Sequence, residues 1–129
     1  MEAAEATSAR KILVVDDEQD IVRSIQLGLE QVGYQVHTAR DGHEALSAVA
    51  TERPDLIILD VRMPVMDGLQ VLDCLKGDAK THDIPIVMLT AAADQQDMKK
   101  GWEHGSDLYL TKPIHPVQLA DYMQTLLSR

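Results

Sequence analysis

The sequence predicts an α/β fold with a five-stranded parallel sheet and helices on both of its faces. Short apolar runs alternate with stretches of helical periodicity, and the connections between them are only a few residues long. An unbroken apolar run suits a strand that is buried on both faces, as in a parallel sheet. Parallel neighbours need crossover connections, and right-handed crossovers place helices on both sides of the sheet. The predicted architecture is therefore doubly wound.

The five predicted strands are short and mostly apolar. Ile12–Val15 and Leu56–Leu59 are unbroken apolar runs. The others are predicted at Tyr34–Thr38, Ile86–Leu89 and Leu108–Leu110.

Helical stripes separate these strands. The first stripe ends near Gly33, a residue type that commonly follows a helix, and its apolar members are Ile21, Ile25, Leu29 and Val32. Further helices are predicted around Ala45–Val49, Leu69–Leu75, Gln95–His104 and Leu119–Leu127. We expect Asp20 and Asp67 to cap helices, and Cys74 to be a half-buried small hydrophobe.

Length, charge and cysteine content restrict the class of protein. A chain of 129 residues fits one domain, which we place at residues 11–129 behind a flexible leader of residues 1–10. The net charge of −9 argues against direct binding to nucleic acid or to an anionic membrane. Cys74 is the only cysteine, so an internal disulfide is impossible, and no apolar stretch approaches the ~20 residues of a membrane span. We expect a cytoplasmic protein.

Five polar residues follow predicted strands and should meet at one edge of the sheet. They are Asp16, Asp17, Asp60, Thr90 and Lys112. In the flavodoxin-like strand order 2-1-3-4-5, the first and third strands are neighbours, so the three aspartates crowd together. Carboxylates about 4 Å apart repel by several kcal/mol, and a hard cation such as Mg²⁺ relieves that repulsion. Any one of these residues alone would be an ordinary cap, turn or surface residue.

The same residues belong to motifs that resemble the response-regulator receiver family of two-component signal transduction, including its single-domain chemotaxis regulators. The matching segments extend from about Lys11 to the end of the chain. They are Ile12–Glu18, Leu56–Asp60, Met63–Gly68, Ile86–Ala91 and Tyr109–Pro113.

This resemblance implies a phosphoryl-accepting site that uses Mg²⁺. Asp60 corresponds to the phosphoacceptor. Asp16, Asp17, Asp60 and the backbone carbonyl of Arg62 correspond to the protein ligands of the magnesium ion. Lys112 corresponds to the lysine that pairs with Asp60 and then with the phosphoryl group.

The resemblance also implies a switch and a phosphoryl lifetime. Thr90 corresponds to the hydroxyl that bonds the phosphoryl group, and Tyr109 to the aromatic residue that turns inward with it. A cis peptide bond is implied at Lys112–Pro113. Arg62 and Ala92 occupy the two positions that, in the family, flank the path of the water molecule that hydrolyses the phosphoryl group. We expect Arg62 to shield the phosphoryl group and Ala92 to leave the water unoriented, so that the group is lost slowly.

The expected function is regulatory. A sensor histidine kinase or a phosphotransfer protein donates the phosphoryl group, and the chain catalyses only its own phosphorylation and dephosphorylation. The phosphorylated form is expected to bind a protein target through the face made by the predicted helix Gln95–His104, the fifth strand and the last helix. We expect no direct nucleic-acid partner, no membrane partner, and a monomer or weak dimer. Both a complete single-domain regulator and a part of a longer protein remain open.

Three other functions are weaker. A phosphorylation-independent pseudo-receiver that only binds proteins is the main alternative, but no acid, hydroxyl or lysine of the site is missing. An aspartyl-nucleophile phosphatase usually has a second Asp two residues after the nucleophile, where this chain has Arg62. A flavodoxin-like cofactor binder would need a phosphate-binding loop after the first strand, and the sequence shows none.

Overall fold

The sheet is parallel throughout, in a computed structural model that describes residues 9–91 and 105–128. Its strands follow the order β2-β1-β3-β4-β5, which confirms the predicted order. The strands are β1 (Lys11–Val15), β2 (Gln35–Ala39), β3 (Leu56–Asp60), β4 (Ile86–Ala91) and β5 (Leu108–Lys112).

Four helices occur in the described parts of the chain. They are α1 (Gln19–Gln31), α2 (Gly42–Glu52), α3 (Gly68–Lys76) and α4 (Pro116–Leu127). The predicted helix Gln95–His104 and most of the predicted leader lie outside the described residues. Within the described residues, no helix combines the length and the apolar character that a bilayer crossing needs.

The sheet is buried on both faces, as the unbroken apolar strands predict. Neighbouring residues of one strand point to opposite faces. In β1, Leu13 and Val15 therefore join the apolar layer beneath α2 and α3, whereas Ile12 and Val14 join the layer beneath α1 and α4. Two apolar layers thus hold the sheet rigid, and its strand ends can carry polar groups in fixed positions.

The helix caps match one prediction and contradict another. Asp67 caps α3: its side chain accepts from the backbone N–H of Gln70, and the Gln70 side chain accepts from the N–H of Asp67. Asp20 is not a cap, because α1 begins at Gln19 and Asp20 lies inside its first turn. Glu18 occupies the cap position of α1 without a side-chain cap bond.

Two apolar residues are more exposed than predicted. Val32 is 54% exposed because α1 ends at Gln31 and the chain turns away at Gly33, which has a φ of +103°. Cys74 is exposed rather than half-buried. It follows the buried Leu72 by two residues, about 200° around the helix, and so points away from the core.

Candidate functional site

Three carboxylates meet at the carboxyl ends of β1 and β3. Val15 pairs with Leu59 across these neighbouring strands, so the residues that follow them, Asp16 and Asp60, lie side by side. One carboxylate oxygen from each of Asp16, Asp17 and Asp60 lies within 4.8 Å of the others. Asp16 and Asp60 are only 2% and 4% exposed, whereas Asp17 is exposed. The prediction that the three aspartates crowd together is confirmed.

Lys112, the last residue of β5, places its ammonium group between two of these carboxylates. Its Nζ lies 2.7 Å from Asp16 Oδ2 and 3.2 Å from Asp60 Oδ1. The Lys112 side chain is 9% exposed, so water screens these pairs weakly. A third carboxylate, Glu18 at the mouth of the site, lies 3.4 Å from the same nitrogen. The sequence predicts the pairing with Asp60 but not the shorter contact with Asp16.

Burial and neighbouring charges change the acidity of the two central groups. Burial, with the Asp16 charge adding to it, raises the pKa of Asp60 to about 6 although Lys112 opposes the change. Burial would lower the pKa of Lys112, but its hydrogen bonds to Asp16 and Asp60 and the charges of both outweigh burial and raise that pKa. Lys112 therefore stays charged at neutral pH and holds the aspartates together.

Asp16 is the most firmly held of the three acids. Its N–H donates to the carbonyl of Ala39 at the end of β2, at 3.1 Å. Its Oδ1 accepts from the N–H of Glu18 at 3.0 Å, while its Oδ2 faces Lys112. A hydrogen bond thus holds one carboxylate oxygen and an ion pair holds the other, so the direction of the carboxylate is fixed before any ligand arrives.

The donor set fits a small, hard divalent cation. Mg²⁺ binds oxygen ligands at about 2.0 to 2.1 Å in octahedral geometry, so ligands on opposite sides lie about 4 Å apart. The spread of up to 4.8 Å among the Asp16, Asp17 and Asp60 oxygens needs only a small contraction to match. Three carboxylates against the one ammonium of Lys112 also leave an excess of negative charge. Arg62, whose backbone carbonyl is the remaining predicted ligand, lies two residues after Asp60 and is exposed.

The two predicted switch residues lie on neighbouring strands. Thr90 is 1% exposed and lies within β4 rather than after it, because the strand continues to Ala91. Tyr109 of β5 is 5% exposed and packs in the apolar layer beneath α2 and α3, so its ring already points inward. The Lys112–Pro113 peptide bond is cis. Ala92 and the helix Gln95–His104 of the predicted output face lie outside the described residues, whereas the strand β5 and the helix α4 of that face are described.

A cavity of about 480 Å³ adjoins this cluster without containing it. Its polar lining residues are Glu18, Asp20, Ser24 and Lys112, and its apolar walls include Ile21, Ile25 and Ile114. Asp60 is not among its lining residues. The cavity is thus a separate groove on the α1 side of Lys112, and the chemistry belongs to the strand ends.

A solved response regulator and a solved receiver domain of a histidine kinase have the same fold. The chain superposes on the chemotaxis response regulator CheY4 of Vibrio cholerae with a TM-score of 0.86 and 34% identity, covering 92% of this chain and 99% of that one. The signal receiver domain of a signal transduction histidine kinase from Syntrophus aciditrophicus gives a TM-score of 0.86 at 40% identity, with coverages of 93% and 91%. These likenesses support the predicted doubly wound fold.

The curated relatives correct the prediction about partners. PhoP of Bacillus subtilis, the alkaline phosphatase synthesis transcriptional regulatory protein, is 46% identical over 120 residues, which cover 93% of this chain and 49% of that protein. PhoB of Klebsiella pneumoniae, the phosphate regulon transcriptional regulatory protein, is 42% identical, with coverages of 94% and 53%. Because both relatives are transcriptional regulatory proteins, the expectation of a protein target alone, with no direct nucleic-acid partner, is wrong. It rested on the net charge of this chain, which spans about half the length of the curated relatives it matches.

The family itself is shown by a direct match. The model of the response regulator receiver domain matches residues 12–124, which include every described residue of the carboxylate cluster and Lys112. The chain therefore belongs to the response regulator receiver domain family.

Proposed function

We propose that Asp60 accepts a phosphoryl group from a phosphohistidine of a sensor kinase or phosphotransfer protein, in a reaction that requires Mg²⁺. Asp16, Asp17, Asp60 and the backbone carbonyl of Arg62 would hold the ion. The observation that carries the proposal is the position of Lys112, whose ammonium lies within 3.2 Å of both Asp16 and Asp60 in a cluster of three carboxylates. Residues 11–129 would form the receiver domain, with residues 1–10 as its leader.

The chemistry proposed for Asp60 is a direct phosphoryl transfer. A carboxylate oxygen of Asp60 forms a bond to phosphorus as the bond from phosphorus to the donor imidazole nitrogen breaks, and that nitrogen keeps the electron pair. Asp60 must be ionised to attack, which its pKa of about 6 permits at neutral pH. Bound Mg²⁺ would supply positive charge near the transferring oxygens.

Three side chains would assist the transfer and the response to it. Lys112, already 3.2 Å from Asp60, supplies a second fixed positive charge to the phosphoryl oxygens. Thr90, buried on the neighbouring strand, would move to bond the phosphoryl group through its hydroxyl. Tyr109 would respond to the movement of Thr90. The same site would catalyse the slow hydrolysis of its own phosphoryl group.

Asp60→Asn is expected to abolish phosphorylation, because an amide cannot act as the nucleophile. Wild-type protein is incubated with acetyl phosphate, with and without Mg²⁺, and intact-mass spectra record the adduct. One phosphoryl group should appear on the wild type only with Mg²⁺. Asp121→Asn, a matched change on the exposed side of α4, should be phosphorylated like the wild type. An undiminished adduct on Asp60→Asn would disprove the acceptor assignment, and no adduct on any variant would favour the pseudo-receiver.

The phosphoryl group is expected to be lost slowly, because Arg62 can cover it with charge-assisted hydrogen bonds and Ala92 cannot orient a water molecule. After removal of the donor, the decay of phosphorylated protein is followed for the wild type, Arg62→Asn and Ala92→Glu. Both variants should decay several-fold faster. Arg23→Asn, which removes another exposed arginine, on α1, serves as the control and should decay at the wild-type rate. Decay in both test variants at or below the wild-type rate would show that neither residue sets the lifetime.

A further inference from the structure

The start of α3 lies directly against the backbone of the acceptor residue. A Cβ atom built on Gly68, the first residue of α3, would lie 2.1 Å from the carbonyl oxygen of Asp60 and 2.9 Å from Cα of Val61. Real Cβ atoms essentially never come within 3.0 Å of a heavy atom outside their own residue and its chain neighbours. The contact therefore needs glycine, and any side chain at this position must displace either the helix or the Asp60–Val61 peptide group.

Both sides of this contact are held by hydrogen bonds. The N–H of Val61 donates to the carbonyl of Leu89 in β4 at 3.0 Å, which ties the peptide to the sheet. The N–H of Gly68 donates to the carbonyl of Val61 at 2.8 Å, which ties the helix to the next peptide group, Val61–Arg62. The reciprocal cap of Asp67 and Gln70 fixes the helix start in turn.

We propose that Gly68 is a positioning residue for phosphoryl transfer: it lets α3 close onto the Asp60 backbone and so fixes the acceptor carboxylate relative to Lys112. The inference rests on the function proposed above. A single methylene group joins the Asp60 carboxylate to the backbone, and its distance of 3.2 Å to Lys112 leaves little room for movement. A displacement near 1 Å can slow a well-aligned reaction by about a hundredfold.

The test compares three glycine-to-alanine substitutions. Gly68→Ala is the test variant. Gly28→Ala is matched in crowding, since its Cβ would lie 2.2 Å from the Pro116 side chain on the opposite face of the sheet. Gly42→Ala is matched in position, as the first residue of a capped helix, but its Cβ would meet the side chain of Met66, with Cγ and Sδ at 2.8 Å and Cβ at 2.9 Å, rather than the backbone of Asp60.

Three quantities are measured for each variant. They are the initial rate of phosphorylation by acetyl phosphate at saturating Mg²⁺, the thermal unfolding midpoint, and the backbone amide NMR signals of Asp60 and Val61. Gly68→Ala should lose about tenfold or more in rate and shift both signals. Gly28→Ala and Gly42→Ala should each lose thermal stability while keeping the rate and both signals.

A pair of cap variants provides the test if Gly68→Ala does not fold. Asp67→Ala removes the cap of α3 and Asp41→Ala removes the equivalent cap of α2, and neither adds volume. Only Asp67→Ala should slow phosphorylation and move the Asp60 signal. A normal rate in Gly68→Ala, or equal rates in the two cap variants if it does not fold, would overturn the inference. Absence of any adduct on the wild type would count against the proposed function instead, and the amide signals would still decide whether Gly68 positions Asp60.

Discussion

Lys112→Met should destabilise the metal-free protein by about 3 to 5 kcal/mol at neutral pH, the cost typical of breaking a buried ion pair by removing one partner. Methionine keeps much of the length and the apolar stem of the lysine side chain but has no charge. The ammonium it replaces lies 2.7 Å from Asp16 and 3.2 Å from Asp60, both of which are almost wholly buried. Two carboxylates would then repel each other without a cation between them.

The pH and metal dependence distinguish this cause from a simple loss of packing. Without Lys112, a proton on Asp60 is the alternative means of relieving the repulsion, so the destabilisation should shrink as the pH falls toward 5. Millimolar Mg²⁺ should restore part of the stability at pH 7.5, because a divalent cation can replace the lost charge. Urea unfolding at both pH values, with EDTA or Mg²⁺, measures all of these effects.

Lys76→Met is the matched control. Lys76 is also a half-buried lysine, with its Nζ 3.4 Å from Asp107 Oδ2 and 3.0 Å from the carbonyl of Ile84, but it lies away from the carboxylate cluster. Its loss should destabilise the protein without any recovery in Mg²⁺. The double variant Lys112→Met with Asp60→Asn should be more stable than Lys112→Met alone. Equal responses of the two lysine variants to Mg²⁺ would show that Lys112 acts by packing rather than by charge.

Much of the sheet can be predicted from the sequence because its strands are buried on both faces. Unbroken apolar runs such as Ile12–Val15 occur where both faces of a strand meet apolar layers, and few other structures require them. The strand ends are harder to predict. Thr90 lies inside β4 because the strand pairing continues through Thr90 with Thr111 and Ala91 with Lys112. No change in hydrophobicity marks the end of the strand after Ala91.

The site could be predicted as a set of residues but not as a geometry. The position of Asp16, Asp60 and Lys112 at strand ends follows from the alternation of strands and helices. That Asp16 is the nearer partner of Lys112 depends on side-chain directions, which a pattern of residue types does not encode. A pattern of residue types does not encode the need for glycine at position 68 either, because that need arises from two backbone segments that meet only in the folded chain.

The stability of the metal-free protein should fall as the pH rises from about 4 to about 6, and Asp60 should be the cause. Burial and the Asp16 charge raise the pKa of Asp60 to about 6, whereas an aspartate in the unfolded chain titrates near 3.9. Between these values the folded state holds a proton that the unfolded state has released. Stability therefore decreases with increasing pH in this window. This difference between the pKa values of the folded and unfolded states lowers the free energy of unfolding by at most about 3 kcal/mol once Asp60 is fully ionised.

The difference between wild type and Asp60→Asn isolates this contribution, because both proteins share every other titrating group. The free energy of unfolding is measured in EDTA at pH 4 and pH 7.5. Asp60→Asn should be close to the wild type at pH 4, where Asp60 is protonated and neutral, and more stable by up to about 3 kcal/mol at pH 7.5. Lys112 does not contribute to the slope, since its raised pKa keeps it protonated across the window. Mg²⁺ should reverse the order at pH 7.5, because it stabilises the three-carboxylate site of the wild type more than a site with an amide at position 60. A stability difference that is the same at both pH values in EDTA would show that Asp60 ionises as easily in the folded chain as in the unfolded one.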